Sequence, residues 1–256
     1  MTAGIGLPPP VPPEVAAEVP VADDGWALNW ATRPRLRGWI HAAAAAATVP
    51  ITVLAVRRSP RGAKRVGVAV FGASYATMLT ASAAYHRLPR SAGQARWFRR
   101  VDHAAIFGAI AGTWTPVAIV ILPAPAAAGV IAGVWSTALA GAATKLTTLD
   151  GTRDHARWAY LALGWASVGL IPFVVRSGGW VPLANLVAGG VAYSAGAALL
   201  GSKRWPDARW FGHHEAWHVA VLGGGAFHAA AVAQLVTGVG APPPPPPRRR
   251  LRLPRR

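Results

Sequence analysis

The 256-residue chain is 53% hydrophobic and only 14% charged, with a mean hydropathy of +0.32, whereas an ordinary soluble domain carries about 25% charged residues. Its net charge of +17 comes from Lys and Arg that flank long apolar runs or crowd the last nine residues; such charges set membrane topology and meet anionic lipid headgroups, which argues against a nucleic-acid partner. With no cysteine, disulfides and thiolate ligands are excluded, and any metal must rely on histidine, carboxylate and water.

Residues 1–32 contain PPPVPPEVAAEVP, a composition that cannot bury a core and reads as a disordered tail. No cleavable signal peptide is evident there, so the first span serves as the insertion signal. Seven apolar stretches follow, each near the length of about 20 residues that a hydrocarbon core demands. They are Gly38–Val56, Val66–His86, Val101–Leu122, Ala126–Thr148, Tyr160–Val175, Val181–Gly201 and the run from His213 through Val236. The basic loops RRSPRGAKR (57–65) and RLPRSAGQARWFRR (87–100) and the polar loop DGTRDHARW (150–158) separate them. Lys145, near the end of the fourth stretch, is placed to snorkel to the interface. Trp97, Trp158, Trp180, Trp205 and Trp210 fall at the span ends, as an aromatic belt requires. The expected fold is an all-α, seven-helix transmembrane bundle over residues 33–240, and the Pro/Arg-rich residues 241–256 form a second disordered tail.

The chemistry concentrates at HHEAWH (213–218). His214 and His218 stand four residues apart, on one face of a helix and about 6 Å along its axis, a spacing that lets two imidazoles grip one ion. His86 ends the second span and Asp102 begins the third, with a short loop between them, so both lie at one membrane surface. Four further crossings bring the chain back to that surface before the seventh span, where His214 and His218 join them. Ionisable groups in spans are costly and mark function. Three His ligands leave a tetrahedral position open, the mark of a catalytic rather than a structural zinc, and zinc lowers the pKa of bound water toward about 7. Asp102 is then the general base and later proton donor. Ser82, one turn before His86, is placed to hydrogen-bond the substrate carbonyl or the water.

HEAWH also satisfies H-E-x-x-H, in which Glu215 would be a metalloprotease base. The helix is a membrane span and a third histidine lies upstream, so that reading is set aside. His103 is expected to face away from Asp102, His213 to point off the face of the pair, and His228 to lie about 15 Å deeper as a contact within the bundle. His41 and His155 carry no spacing argument.

These stretches resemble the hemolysin III family, the bacterial branch of the progestin and adipoQ receptor group. RGWIH (37–41), SAAYH (82–86), VDHAAIFGAIAGTWTP (101–116), GGVAYSAG (189–196) and FGHHEAWHVAVLGGGAFH (211–228) are similar to its spaced signatures in order, and the likeness runs from about Pro34 to Gln234. The resemblance implies seven helices, a cytosolic N-terminus in the cell membrane, and a zinc site near the cytosolic surface with His86, His214 and His218 as ligands and Asp102 and Ser82 around the water. The wider superfamily includes alkaline ceramidases, which implies hydrolysis of a lipid amide or ester. A non-catalytic, zinc-stabilised sensor and a membrane-lysing protein are the alternatives. With the N-terminus inside, cytosolic segments hold 13 Lys/Arg against 6 outside, or 12 with the C-terminal tail included, so the positive-inside rule agrees only in part.

Overall fold

Helices make up every regular element among residues 34–148, 156–202 and 209–239, the part of the chain that the computed structural model describes. In chain order they are α1 (Trp39–Arg58), α2 (Ala63–Arg87), α3 (Ala92–Ile121), α4 (Ala124–Thr148), α5 (Ala156–Trp165), a 3-10 turn (Ala166–Leu170), α6 (Ile171–Gly178), α7 (Trp180–Ser202) and α8 (His213–Thr237). Taking α5, the 3-10 turn and α6 as one stretch, seven helical segments among the described residues are long and apolar enough to cross a bilayer. The protein is an all-α, multi-pass membrane protein. Both tails, His155 and Trp205 lie outside the described residues.

Two elements differ from the hydropathy reading. α3 begins nine residues before Val101, because Ser91 caps it by accepting a hydrogen bond from Gln94 N at 3.3 Å while Gln94 Oε1 accepts from Arg90 N at 2.8 Å. Capping and helix propensity thus extend the helix through a basic segment that hydropathy assigns to a loop. Asp102 consequently sits in the third turn rather than at the helix start. The fifth span is interrupted at Ala166–Leu170, just ahead of Pro172, whose ring removes a backbone donor and crowds the carbonyl four residues back. Lys145, placed by hydropathy where it could snorkel, is 8% exposed.

Successive helices pack side by side, α1 on α2, α2 on α3, α3 on α4 and α7 on α8, and α8 closes the bundle against α1, α2 and α3. One apolar cluster (Val68, Val117, Ile121, Val174, Val232, Leu235, Val236) seals the end where α2 begins and α8 finishes. A second (Met78, Leu79, Ala109, Val221) lies midway. Val49, Ile51, Val53 and Leu54 of α1 face outward, as do Leu139 and Val191, a surface suited to lipid and unsuited to water. Trp97, Trp158, Trp180 and Trp210 are exposed at helix ends.

Close approach of α8 to its neighbours depends on small residues. Tyr75 Oη donates to the Val221 carbonyl at 3.1 Å, and a side chain on Gly225 would land on the Tyr75 phenol, whereas Gly223 faces open space. Gly225→Leu is expected to cost about 1–3 kcal/mol through overpacking, seen as a lower Tm in detergent micelles, while Gly223→Ala leaves Tm unchanged.

Candidate metal centre

The last turn of α2 and the first two turns of α8 meet at His86, His214 and His218. His86 and His218 are each 1% exposed. His86 Nε2 and His214 Nε2 are 3.2 Å apart, and ring centroids are 4.8 Å (His86–His214), 5.0 Å (His86–His218) and 4.7 Å (His214–His218) apart. One nitrogen from each ring lies within 4.8 Å of the other two. Tetrahedral coordination with Zn–N bonds of about 2.0–2.1 Å sets donor atoms about 3.3–3.4 Å apart. The His86–His214 pair already has that spacing, and a shift of His218 by no more than about 1.5 Å would join it. His218 Nδ1 is buried without a hydrogen-bond partner among the described residues. Two imidazole nitrogens facing each other at 3.2 Å can share only one proton. A donor set of neutral imidazole lone pairs at this distance fits a divalent ion, and this buried group can hold a metal.

The approach of α1 and α8 is set by a buried ion pair. Arg37 Nε donates to Glu215 Oε1, and Arg37 Nη2 lies 3.5 Å from Glu215 Oε2; the two side chains are 3% and 0% exposed. Glu215 Oε2 also accepts from Gly212 N at 2.8 Å, capping α8. The chain before α1 follows suit: Arg35 N and Leu36 N donate to the carbonyls of Arg209 and Trp210 at 3.0 and 3.2 Å. Gly38 turns into α1 with φ 80°, and a Cβ there would lie 2.8 Å from His86 Cβ, so only glycine admits both the turn and the neighbour. With its carboxylate held on both oxygens, Glu215 is a cap and ion-pair partner, not a metalloprotease base.

A cavity of about 440 Å³ opens beside the triad. Ser82, Asp102, His41, His214 and His218 line it, and Ile110, Val117, Val174 and Leu186 line it further in. Asp102 is 8% exposed and Ser82 4%. His103 and His213 also line this cavity, contrary to the expectation that both face elsewhere; the chamber is wide enough to take in more than one face of α3 and α8. His228 lies deeper, its Nε2 3.2 Å from the Leu186 carbonyl and its ring 5.4 Å from that of Tyr193.

Sequence reasoning passed over His41. Its Nδ1 lies 2.9 Å from Ser82 Oγ, and its ring stacks on His218 with centroids 3.8 Å apart. Its place in RGWIH at the mouth of a span, as a buried polar residue in lipid, was the signal available.

A family model described as haemolysin-III related matches residues 29–229. The chain belongs to this family. It is 28% identical over 189 residues to Hemolysin-3 of Bacillus cereus, covering 73% of this chain and 84% of the relative. It is 29% identical over 161 residues to a Hemolysin-3 homolog of Bacillus subtilis, covering 63% of this chain and 73% of the relative. The family match takes in Arg37, Glu215 and all three histidines of the triad.

Removing one partner of a buried ion pair leaves an uncompensated charge and costs about 3–5 kcal/mol. Arg37→Met is expected to destabilise by that amount in chemical denaturation. Arg37→Met combined with Glu215→Gln, which removes both charges and keeps an acceptor for Gly212 N–H, recovers about half of it or more.

Proposed function

We propose that this protein is a zinc-dependent hydrolase of lipid amide or ester bonds, embedded in the cell membrane with its N-terminus in the cytosol. The observation that carries this reading is that two of three clustered imidazoles share one largely apolar cavity with Asp102 and Ser82. His86, His214 and His218 would hold the ion. A divalent ion on three neutral imidazoles supplies Lewis acidity that polarises a carbonyl and acidifies water. Asp102 takes the proton from water as its oxygen bonds to the carbonyl carbon, and delivers it to the amine or alcohol as the C–N or C–O bond breaks. Ser82 hydrogen-bonds the carbonyl oxygen, and the apolar depth of the cavity takes a hydrocarbon chain. Membrane lipids are the substrate pool, and the basic segments at the helix ends meet anionic headgroups.

A second reading, in which the ion is structural and the bundle senses rather than hydrolyses, is favoured by one feature: the triad joins α2 to α8, helices far apart in sequence, as a staple would.

Purified protein is expected to contain one zinc per chain by elemental analysis, and His214→Ala to lose it. Asp102→Asn should keep the zinc and lose about 10²-fold or more of lipid turnover, the usual contribution of general acid–base catalysis. Stoichiometric zinc with no turnover on a broad panel of ceramides, N-acyl lipids and phospholipids would overturn the hydrolase in favour of the staple. Lysis of liposomes without zinc would overturn both in favour of the lytic activity that the relatives' name suggests.

A further inference from the structure

His41 is 3% exposed within α1 and makes two contacts with the centre at once. One edge of its ring meets Ser82 Oγ at 2.9 Å, across 41 residues of sequence; one face lies on His218, 3.8 Å between centroids and 17° between planes. Other hydroxyls in the bundle behave differently. Thr48, Thr113, Thr115 and Ser194 each donate to the carbonyl four residues back, the habit of Ser and Thr in helices. Thr115 and Ser194 also accept from Trp135 Nε1 and Trp165 Nε1 on other elements, but both still spend their proton on their own helix, whereas Ser82 bonds to His41 of α1. A phenylalanine would fill the same space and keep the same stack without placing a polar ring in a span, where it is costly. What an imidazole adds is the nitrogen facing Ser82.

We propose that His41 is a positioning residue of the metal centre: it pins Ser82 Oγ in one rotamer facing the cavity and backs the ring of His218. The inference rests on the metal-binding part of the proposed function and deepens it, and it does not require turnover. In this arrangement His41 Nδ1–H donates to Ser82 Oγ, so the single O–H of Ser82 stays available to donate to whatever oxygen occupies the cavity beside the triad.

The test uses the full-length protein in detergent and dodecanohydroxamic acid, a single-chain amphiphile whose head chelates zinc and presents a carbonyl oxygen. Zinc content, the visible spectrum of the Co²⁺-substituted protein and the Kd of the hydroxamate are measured for wild type, His41→Phe, His41→Asn, Ser82→Ala and the double variant His41→Phe/Ser82→Ala. His41→Phe should keep one metal per chain and a tetrahedral Co²⁺ spectrum, yet bind the hydroxamate about ten-fold more weakly, as expected for loss of one buried hydrogen bond. His41→Asn, which retains a polar atom near Ser82, should restore most of the affinity. In the double-mutant cycle, His41→Phe should add nothing once Ser82 is alanine. Wild-type affinity in His41→Phe, or additive losses in the cycle, would overturn the proposal; loss of metal in both His41→Phe and His41→Asn would overturn it by making His41 a ligand. His41→Leu runs the same cycle if the phenylalanine variant misfolds. Wild-type protein without zinc overturns the metal reading and this one together, whereas zinc without lipid turnover overturns only the hydrolase and leaves the cycle decisive.

Discussion

A carboxylate and a guanidinium buried side by side hold the start of α1 and the start of α8 in register. Glu215 lies between His214 and His218 on α8, so whatever fixes Glu215 fixes both imidazoles. Arg37 provides one clamp and the α8 N-terminus the other, through the Gly212 N–H and through a helix end that favours negative charge. Arg37 is also next to Gly38, whose missing side chain makes room for the backbone end of His86. One ion pair therefore sets α1, α2 and α8 against each other at the depth where the triad sits. In a low-dielectric surround neither charge can separate without a large desolvation penalty, which makes the arrangement stiff as well as stable.

The membrane explains why so few polar groups do so much. Within a bilayer no water satisfies a polar group, so partners come from inside the protein, and those here run inward from the triad. His41 meets Ser82, Tyr75 meets the Val221 carbonyl, His228 meets the Leu186 carbonyl, and Asn185 Nδ2 donates to Gln234 Oε1 at 3.1 Å. These contacts tie helices together along the cavity wall while the outer faces of α1, α4 and α7 stay apolar. Pro50 and Pro116 sit inside α1 and α3 without ending them, as neighbouring helices in a bundle allow.

Hydropathy and span-counting made much of this legible. Period and length mark the seven helices, because lipid imposes a minimum apolar run that chance seldom produces. An even number of crossings between the second loop and the seventh span is enough to bring His86 to the level of His214 and His218, and the structure sets the three rings against one another. What escaped is what those signals do not encode. The early start of α3 depends on Ser91 and Gln94, a local cap inside a basic stretch that hydropathy scores as loop. The break in the fifth span depends on a single proline. The Arg37–Glu215 pair spans 178 residues and His41–Ser82 spans 41; neither has a helical period, so each becomes visible only when packing brings the helices together. His103 and His213 line the cavity although they lie off the faces of Asp102 and of the histidine pair, because angular position on a helix predicts a direction, not the width of the chamber.

The charge balance of the cavity follows from the same physics. Three neutral imidazoles are far cheaper to bury than three carboxylates, which would each need a compensating cation in the absence of metal. A divalent ion bound by neutral ligands keeps its full charge, and among the described residues that line the cavity the formal charges are those of Asp102 and Arg99. Glu215, although adjacent in sequence to a triad histidine, is already neutralised by Arg37 and turned into the helix cap. The two carboxylates are thereby separated by place: Glu215 is locked into the scaffold as ion-pair partner and helix cap, and Asp102 lines the cavity, which is why the hydrolase proposed above assigns its proton transfer to Asp102 and not to Glu215.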